Sequence, residues 1–307
     1  FLMIRRPQRS TPLYSSAASD VYKRQAYIDR PEGAQGTGLT ASDITEADYI
    51  LIGHSHFDHL WGAERIIENT DATLIGSYES VRVMETLGVP LDRMICVAGG
   101  ETIDLGPGVT VSVHPSQHSC VWSHAQMDEP DVVCLGDLGV HWHEQQDRFV
   151  ELMKYLTTET SEATRAHLQE SQPGHSDRGD GGALIYMIET PEGSVLFQDT
   201  SGRYDGIMGE LKPDVAILAA AGRGNINGEP IQGSLAQFVA QQVDLVRPKS
   251  VIFGHHDDWM PGFSIPVNTQ PIIAEIEKLP FDVDVIEPGY LEGTAILPLW
   301  RPSKVKA

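Results

Sequence analysis

A chain of 307 residues with 41% apolar and 21% charged side chains, 29 Gly and 19 Pro is that of a globular protein of one or two domains; collagen-like, disordered and disulfide-stapled classes are excluded. Its 22 Lys+Arg against 43 Asp+Glu give a net charge of −21, which repels phosphate backbones and argues against a nucleic-acid partner. No run of 18 apolar residues predicts a membrane span, and the widely spaced Cys96, Cys120 and Cys134 read as buried thiols of a reducing, cytoplasmic compartment, not as a disulfide or thiolate-metal framework.

The first 25 residues stand apart. They carry Arg5, Arg6, Arg9, Lys23 and Arg24 against one acid, Asp20, and without them the chain holds 17 basic and 42 acidic side chains, a net of −25. Residues 15–25, SSAASDVYKRQ, resemble a sequencing adapter translated in frame, a scar of metagenomic assembly. Residues 1–25 are therefore expected to be a foreign or disordered tail with the true N-terminus missing, and 26–307 the folded domain.

From Ala26 short strands and helices alternate, which predicts an α/β fold. Residues 49–52 are an apolar run of strand length closed by Gly53, and Leu60, Ala63, Ile66 and Ile67 have helical spacing across 60–69. A strand at 72–75 and a helix at 78–87, stopped by Gly88 and Pro90, repeat the unit. Strands at 94–97, 102–105 and 109–114 follow, separated by Gly-rich turns. Residues 119–182 break the rhythm with a polar helix at about 144–170 and a Gly/Asp/His loop at 172–182, and read as an insertion or cap. Strands at 183–189 and 194–198 flank the hairpin turn Pro191-Glu192-Gly193. A strand at 215–219, a helix at 234–245 and a strand at 250–253 form a second series; a helix at 271–278 and strands at 282–286 and 294–297 close the chain.

The chemistry concentrates in His54-Ser55-His56-Phe57-Asp58-His59, where an apolar strand turns into a helix. Alternate residues His54 and His56 can point into one coordination sphere, while Asp58 and His59 can serve a second ion. Imidazole nitrogen and carboxylate oxygen suit Zn²⁺ and leave a position open for water.

His54-x-His56-x-Asp58-His59 resembles the hallmark of the metallo-β-lactamase superfamily, and the order of later motifs extends the resemblance over nearly all of 27–298. The resemblance implies an αββα sandwich with a dinuclear metal site. Its lone His after a strand matches His118, with His114 the weaker choice; its Asp after a strand matches Asp199, in Gln198-Asp199-Thr200-Ser201-Gly202. Its late His matches His255, preferred over His256, before Asp257-Asp258-Trp259, as in a branch that resembles ascorbate-phosphate lactonases. One ion is then expected on His54, His56 and His118 and another on Asp58, His59 and His255, with Asp199 bridging. The ions would be Zn²⁺, with Mn or Fe as alternatives. They would lower the pKa of a bridging water to give the nucleophile that attacks an ester, lactone, amide or phosphodiester of a small molecule, with Asp58 also orienting it.

Only about 27 residues separate Ala26 from His54, so the sandwich is expected to lack its first strands. The same fold also carries non-hydrolytic iron enzymes, and an N-terminal loss would suit an inactive metal-binding remnant; the Asp58-His59 pair favours hydrolysis. His256, Tyr204 and Trp259 are candidates for touching substrate, as are His124 and His175 in the insertion. His141-Trp142-His143 repeats the His-x-His spacing but reads as surface, Gly222-Arg223-Gly224-Asn225 as a connecting loop in preference to an anion-binding turn, and Asp257 or Asp258 as a hydrogen-bond partner behind a ligand imidazole.

Overall fold

The computed structural model describes residues 2–4, 21–22, 31–34, 38–123, 129–171, 180–288 and 297. The first sheet contains β1 (Leu2–Ile4), β2 (Val21–Tyr22), β3 (Tyr49–Leu51), β4 (Thr73–Gly76) and β5 (Met94–Cys96), in the order β2-β1-β3-β4-β5. Strands β3, β4 and β5 are parallel, as strands joined by helical crossovers must be, and β1 is antiparallel to β3. The crossovers are α1 (Phe57–Leu60), α2 (Ala63–Asn69) and α3 (Tyr78–Thr86). One helix was expected across 60–69. Instead the chain breaks at Trp61-Gly62, where Gly62 adopts φ 84° and starts α2 afresh.

The second sheet begins with β6 (Thr102–Gly106) and β7 (Val109–Pro115). Next come β8 (Cys134–Leu135), α4 (Trp142–Thr158) and α5 (Glu162–Ser171), then β9 (Leu184–Thr190), β10 (Gly193–Phe197), β11 (Gly202–Arg203), α6 (Asp205–Met208) and β12 (Val215–Ala219). Short strands β13 (Asn225–Ile226), β14 (Glu229–Pro230) and β15 (Gln232–Gly233) precede α7 (Leu235–Val246), β16 (Ser250–Gly254), α8 (Gln270–Ile276) and β17 (Asp284–Ile286). Seven of these strands pair as β17-β16-β12-β10-β9-β7-β6.

Side-chain alternation assigns the layers. Leu51, Ile75, Val111, Val113, Tyr186, Ile188, Val195 and Phe197 meet between the two sheets. Ile50, Ile52 and Leu74 point the other way, onto Leu60, Ile66, Ile67, Val83 and Met84 of the first helices. On the far side Ile185, Leu196, Ala216 and Leu218 pack on Phe238, Val239, Val243, Ile272 and Ile276 of α7 and α8. Both faces of each sheet are thus covered, which is why the strands read as continuous apolar runs. The result is helix, sheet, sheet, helix: the αββα sandwich.

The N-terminus differs from expectation. Leu2–Ile4 are buried, with Leu2 opposite Leu51 and Ile4 opposite Tyr49, and β2 pairs outside them. So the first residues of the supposed tail are sheet, and two strands precede β3 where the first strands were expected to be lacking. The basic charge of the segment marked Arg5, Arg6 and Arg9 but hid the three apolar residues before them. Leu2 and Ile4 enter the inter-sheet core while Met3 faces the helices. The rest of residues 1–25 lies outside the described residues, as do His124, His175 and the strand expected at 294–297, apart from a buried Leu297.

The segment between β7 and β9 joins strands that are neighbours in the sheet, with Val113 opposite Tyr186. Its expected single helix is two: the first ends at Thr158 with Glu159 as its C-cap, and the Ser161 hydroxyl caps the second by accepting from Thr164 N at 3.1 Å. Leu156 and Leu168 of these helices pack on Trp259 and Met260 after β16, together with Phe57 and Trp61, so the excursion rests against elements that carry the site. Of the cysteines only Cys120 is buried; Cys96 is exposed and Cys134 intermediate, and all three are free.

Tyr186 ties the sheets together at the end of β3. Its fully buried hydroxyl is 2.7 Å from the carbonyl oxygen of Ile52 and 3.2 Å from that of Ile75, and burial raises its pKa well above the ordinary value. Tyr186→Phe should cost about 1–2 kcal/mol of unfolding free energy, read as a lower urea midpoint at unchanged slope, because it strands the Ile52 carbonyl without a donor.

Candidate metal centre

The His-rich segment leaves the core at Ile52. Leu184 N donates to Gly53 O at 2.7 Å, and Ser55 donates to Asp180 O through both N and Oγ at 2.8 Å, so the start of β9 fixes the turn from behind. A methyl group on Gly53 would be driven into the Asp199 carboxylate; glycine is what allows that carboxylate to lie under the turn. His56 keeps extended backbone as the residue before α1, and α1 then carries Asp58 and His59 one after the other.

Three groups of donor atoms, each within 4.8 Å of one another, emerge among the described residues: His54 with His56 and His118, Asp58 with His59 and His255, and His54 with His59 and Asp199. The first group packs its rings edge to face at centroid distances of 4.5 to 4.9 Å. In the second, Asp58 Oδ2 lies 3.1 Å from His59 Nε2 and 3.3 Å from His255 Nε2. Asp199, fully buried after β10, joins the two: its Oδ1 is 3.0 Å from His54 Nδ1 and its Oδ2 is 2.9 Å from His59 Nδ1.

The electrostatics follow from this packing. Burial lowers the His54 imidazole to about 4, helped by neighbouring His59 and opposed by Asp199. His56 and His118 are lowered first by burial and then by neighbouring imidazoles, so all three are neutral at pH 7, the form that binds a cation. For His59 burial pulls downward, but the carboxylates of Asp58 and Asp199 outweigh it and push the imidazole up to about 9. Burial works upward on those carboxylates, yet the adjoining imidazoles hold both well below the ordinary carboxylate range.

Tautomers can be read from the partners. His118 Nδ1 is 2.9 Å from the Ser119 carbonyl, which can only accept, so that nitrogen carries the proton and Nε2 keeps its lone pair. His54 Nε2 is buried with no hydrogen-bond partner. An orphaned buried nitrogen within a set of imidazoles and carboxylates fits a bound divalent cation, which would satisfy it. His255 follows β16 with φ 58°, a left-handed conformation uncommon for a residue with a Cβ, and strain of this kind is characteristic of functional positions.

All seven residues expected to hold metal are brought together. His256 is not among them: its ring stands 6.5 Å from Phe253, edge to face, away from the three groups. Trp259 is only 8% exposed and sets its ring at 81° to His255, 5.3 Å away, so it supports that imidazole. Tyr204 is half-buried before α6. His114 pairs with Ser112 Oγ along its own strand, and His141 and His143 stack on each other, exposed at the start of α4. Asp258 accepts from Ser264 Oγ. The sequence marks Asp180 and Asn225 only as parts of Gly-rich loops and Tyr186 only as part of a strand, and gives no sign that they bond to Ser55, to the His118 carbonyl and to Ile52.

The chain is similar to several known proteins. A family model described as the metallo-beta-lactamase superfamily matches residues 34–149. A UPF0173 metal-dependent hydrolase of Pyrobaculum arsenaticum is 38% identical over 71 residues, 23% of this chain and 32% of that protein, so the matched part spans about a third of that relative. One from Methanopyrus kandleri is 25% identical over 252 residues, 80% of this chain and 82% of that protein. Among solved structures, a metallo hydrolase from Ignicoccus hospitalis aligns with a TM-score of 0.47 at 17% identity, covering 79% of this chain and 77% of that one.

Proposed function

We propose that this chain, similar over residues 34–149 to the metallo-beta-lactamase superfamily, is a metal-dependent hydrolase of that superfamily holding two divalent cations, zinc in preference to manganese or iron, and acting on an ester, lactone, amide or phosphodiester of a small molecule. The observation that supports it is the convergence of His54, His56 and His118 beside Asp58, His59 and His255, with Asp199 between. Cations bound there would supply Lewis acidity and bring the pKa of a bound water towards neutrality. The chain's own part is positional. His54, His56 and His118 offer neutral nitrogens, and Asp58, anionic at neutral pH, holds the His59 and His255 imidazoles on one oxygen and can direct the proton-bearing face of an attacking water. Purified protein should contain close to two equivalents of metal and hydrolyse a member of a lactone, ester, amide and phosphodiester panel. Two metals with no turnover of any of these would refute the hydrolase reading.

The raised His59 pKa gives a pH signature in metal-free protein. Its folded value, about 9, lies above the ordinary 6.5, so the charged imidazole contributes stability that is complete below pH 6.5 and is lost as pH rises through 9. The melting temperature of chelator-treated protein should therefore decline across that window, and His59→Gln should flatten the decline. Metal uptake below pH 9 should release the His59 proton, measurable by calorimetry in buffers of different ionisation enthalpy.

A further inference from the structure

His118 differs from the other expected ligands in that no regular element carries it. It lies beyond β7, in a connection that must be fixed from outside. Ser116 N donates to Ala183 O and Ser116 Oγ to Gly202 O, both at 2.8 Å, and Ser119 N donates to Thr200 Oγ1 at 3.1 Å. At the residue itself the contact comes from Asn225, whose Nδ2 is 2.8 Å from the His118 carbonyl and 3.3 Å from Gln117 Oε1.

We propose that Asn225 is a positioning residue whose carboxamide, by donating to the His118 carbonyl, holds the His118 imidazole against His54 and His56. The inference rests on the metal-site reading above. Three features set the amide in this role. Asn225 is 6% exposed and sits in the β11–β13 ribbon, with Asn225 N donating to Ser201 O at 2.9 Å, so its backbone is tied to the strand end that carries Asp199. Gly228 N donates to Asn225 Oδ1 at 2.9 Å, which fixes the flip of the amide and leaves only Nδ2 to face His118. And on the far side of His118 the ring nitrogen Nδ1 is already held by the Ser119 carbonyl, so backbone and ring are both located and little rotational freedom remains.

Asn225 therefore links two ligand-bearing segments, the Asp199 strand end and the His118 connection, that are 81 residues apart at their Thr200–Ser119 contact. Partners of this kind are worth 10- to 100-fold in metal affinity.

Asn225→Asp is the sharpest test, since it keeps the shape, keeps the acceptor for Gly228 N, and turns the other end into an oxygen facing the two acceptor oxygens of His118 and Gln117. Asn225→Ser serves as a second variant, and Asn227→Gly, in the same turn at φ 57°, as a control that touches neither His118 nor the ligands. Cobalt(II) is titrated into each metal-free protein and followed by visible absorption, and melting temperatures are taken with and without cobalt. Expected are a roughly 10- to 100-fold weaker cobalt affinity, an altered spectrum and a diminished cobalt-induced rise in melting temperature for both Asn225 variants, with the metal-free melting temperature lowered only by what one lost buried hydrogen bond costs and the control unchanged. A merely structural role would lower both melting temperatures together and leave affinity alone. Wild-type affinity and spectrum in both variants, or failure of both to fold without metal, would overturn the proposal. Wild-type protein that binds no cobalt would sink the metal-site reading itself, and the positioning role with it.

Discussion

Asp58→Asn is expected to reduce hydrolysis by about 10³-fold at saturating Zn²⁺ or Mn²⁺ while the protein remains folded. The substitution keeps the size of the side chain and removes the charge that collects His59 and His255 on one oxygen. Asp58 lies on the short α1, outside the inter-sheet core formed by residues such as Leu51, Tyr186 and Phe197, so the sandwich has no reason to open. Saturating metal matters because a lost ligand also weakens affinity, and only a fall in turnover under saturation isolates the catalytic contribution. His143→Ala, exposed at the start of α4, is the control and should leave activity within about twofold, as ordinary surface changes do. Full activity in Asp58→Asn together with its abolition in His143→Ala would move the reacting centre to the insertion.

Asp199→Asn should have the wider consequences. This carboxylate is fully buried and contacts both halves of the centre, through His54 Nδ1 and His59 Nδ1. Neutralising it removes one of the two charges that keep His59 protonated, so the His59 pKa should fall from about 9 towards its ordinary value, and the pH-dependent decline in metal-free stability should shift to lower pH. An amide placed there also turns one of its two acceptor oxygens into a donor facing an imidazole N–H, an unsatisfied buried contact worth about 1–3 kcal/mol. Metal content by mass spectrometry should drop well below the wild-type stoichiometry, and hydrolysis should fall at least as far as in Asp58→Asn. Retention of full metal content would show that Asp199 is a support for the imidazoles and not a ligand.

Much of the sandwich could be read in advance because burial on both faces writes itself into a strand as an uninterrupted apolar run. Residues 49–52, 183–189, 215–219 and 250–253 are such runs, and each became a strand within a residue or two of its expected limits. The same local logic made the His54 to His59 string legible, since candidate ligands crowded into six positions need no knowledge of the rest of the chain. Failure came where the deciding contact is distant. Charge pattern set residues 1–25 aside as a whole, whereas Leu2–Ile4 are strand because they bury three apolar side chains beside β3, nearly fifty positions away.

The sequence by itself therefore determined the layers and the residue types of the proposed ligands, because hydrophobic periodicity and side-chain type are properties of short segments. Only the tertiary structure decided how those ligands are held. Tyr186 reaches Ile52 across 134 positions, Asp180 reaches Ser55 across 125, and Asn225 reaches His118 across 107. Each rests on one or two hydrogen bonds between residues whose neighbours in sequence give no sign of them. A hydrogen bond requires placement to a few tenths of an ångström, and that accuracy exists only once two packed sheets have fixed both partners.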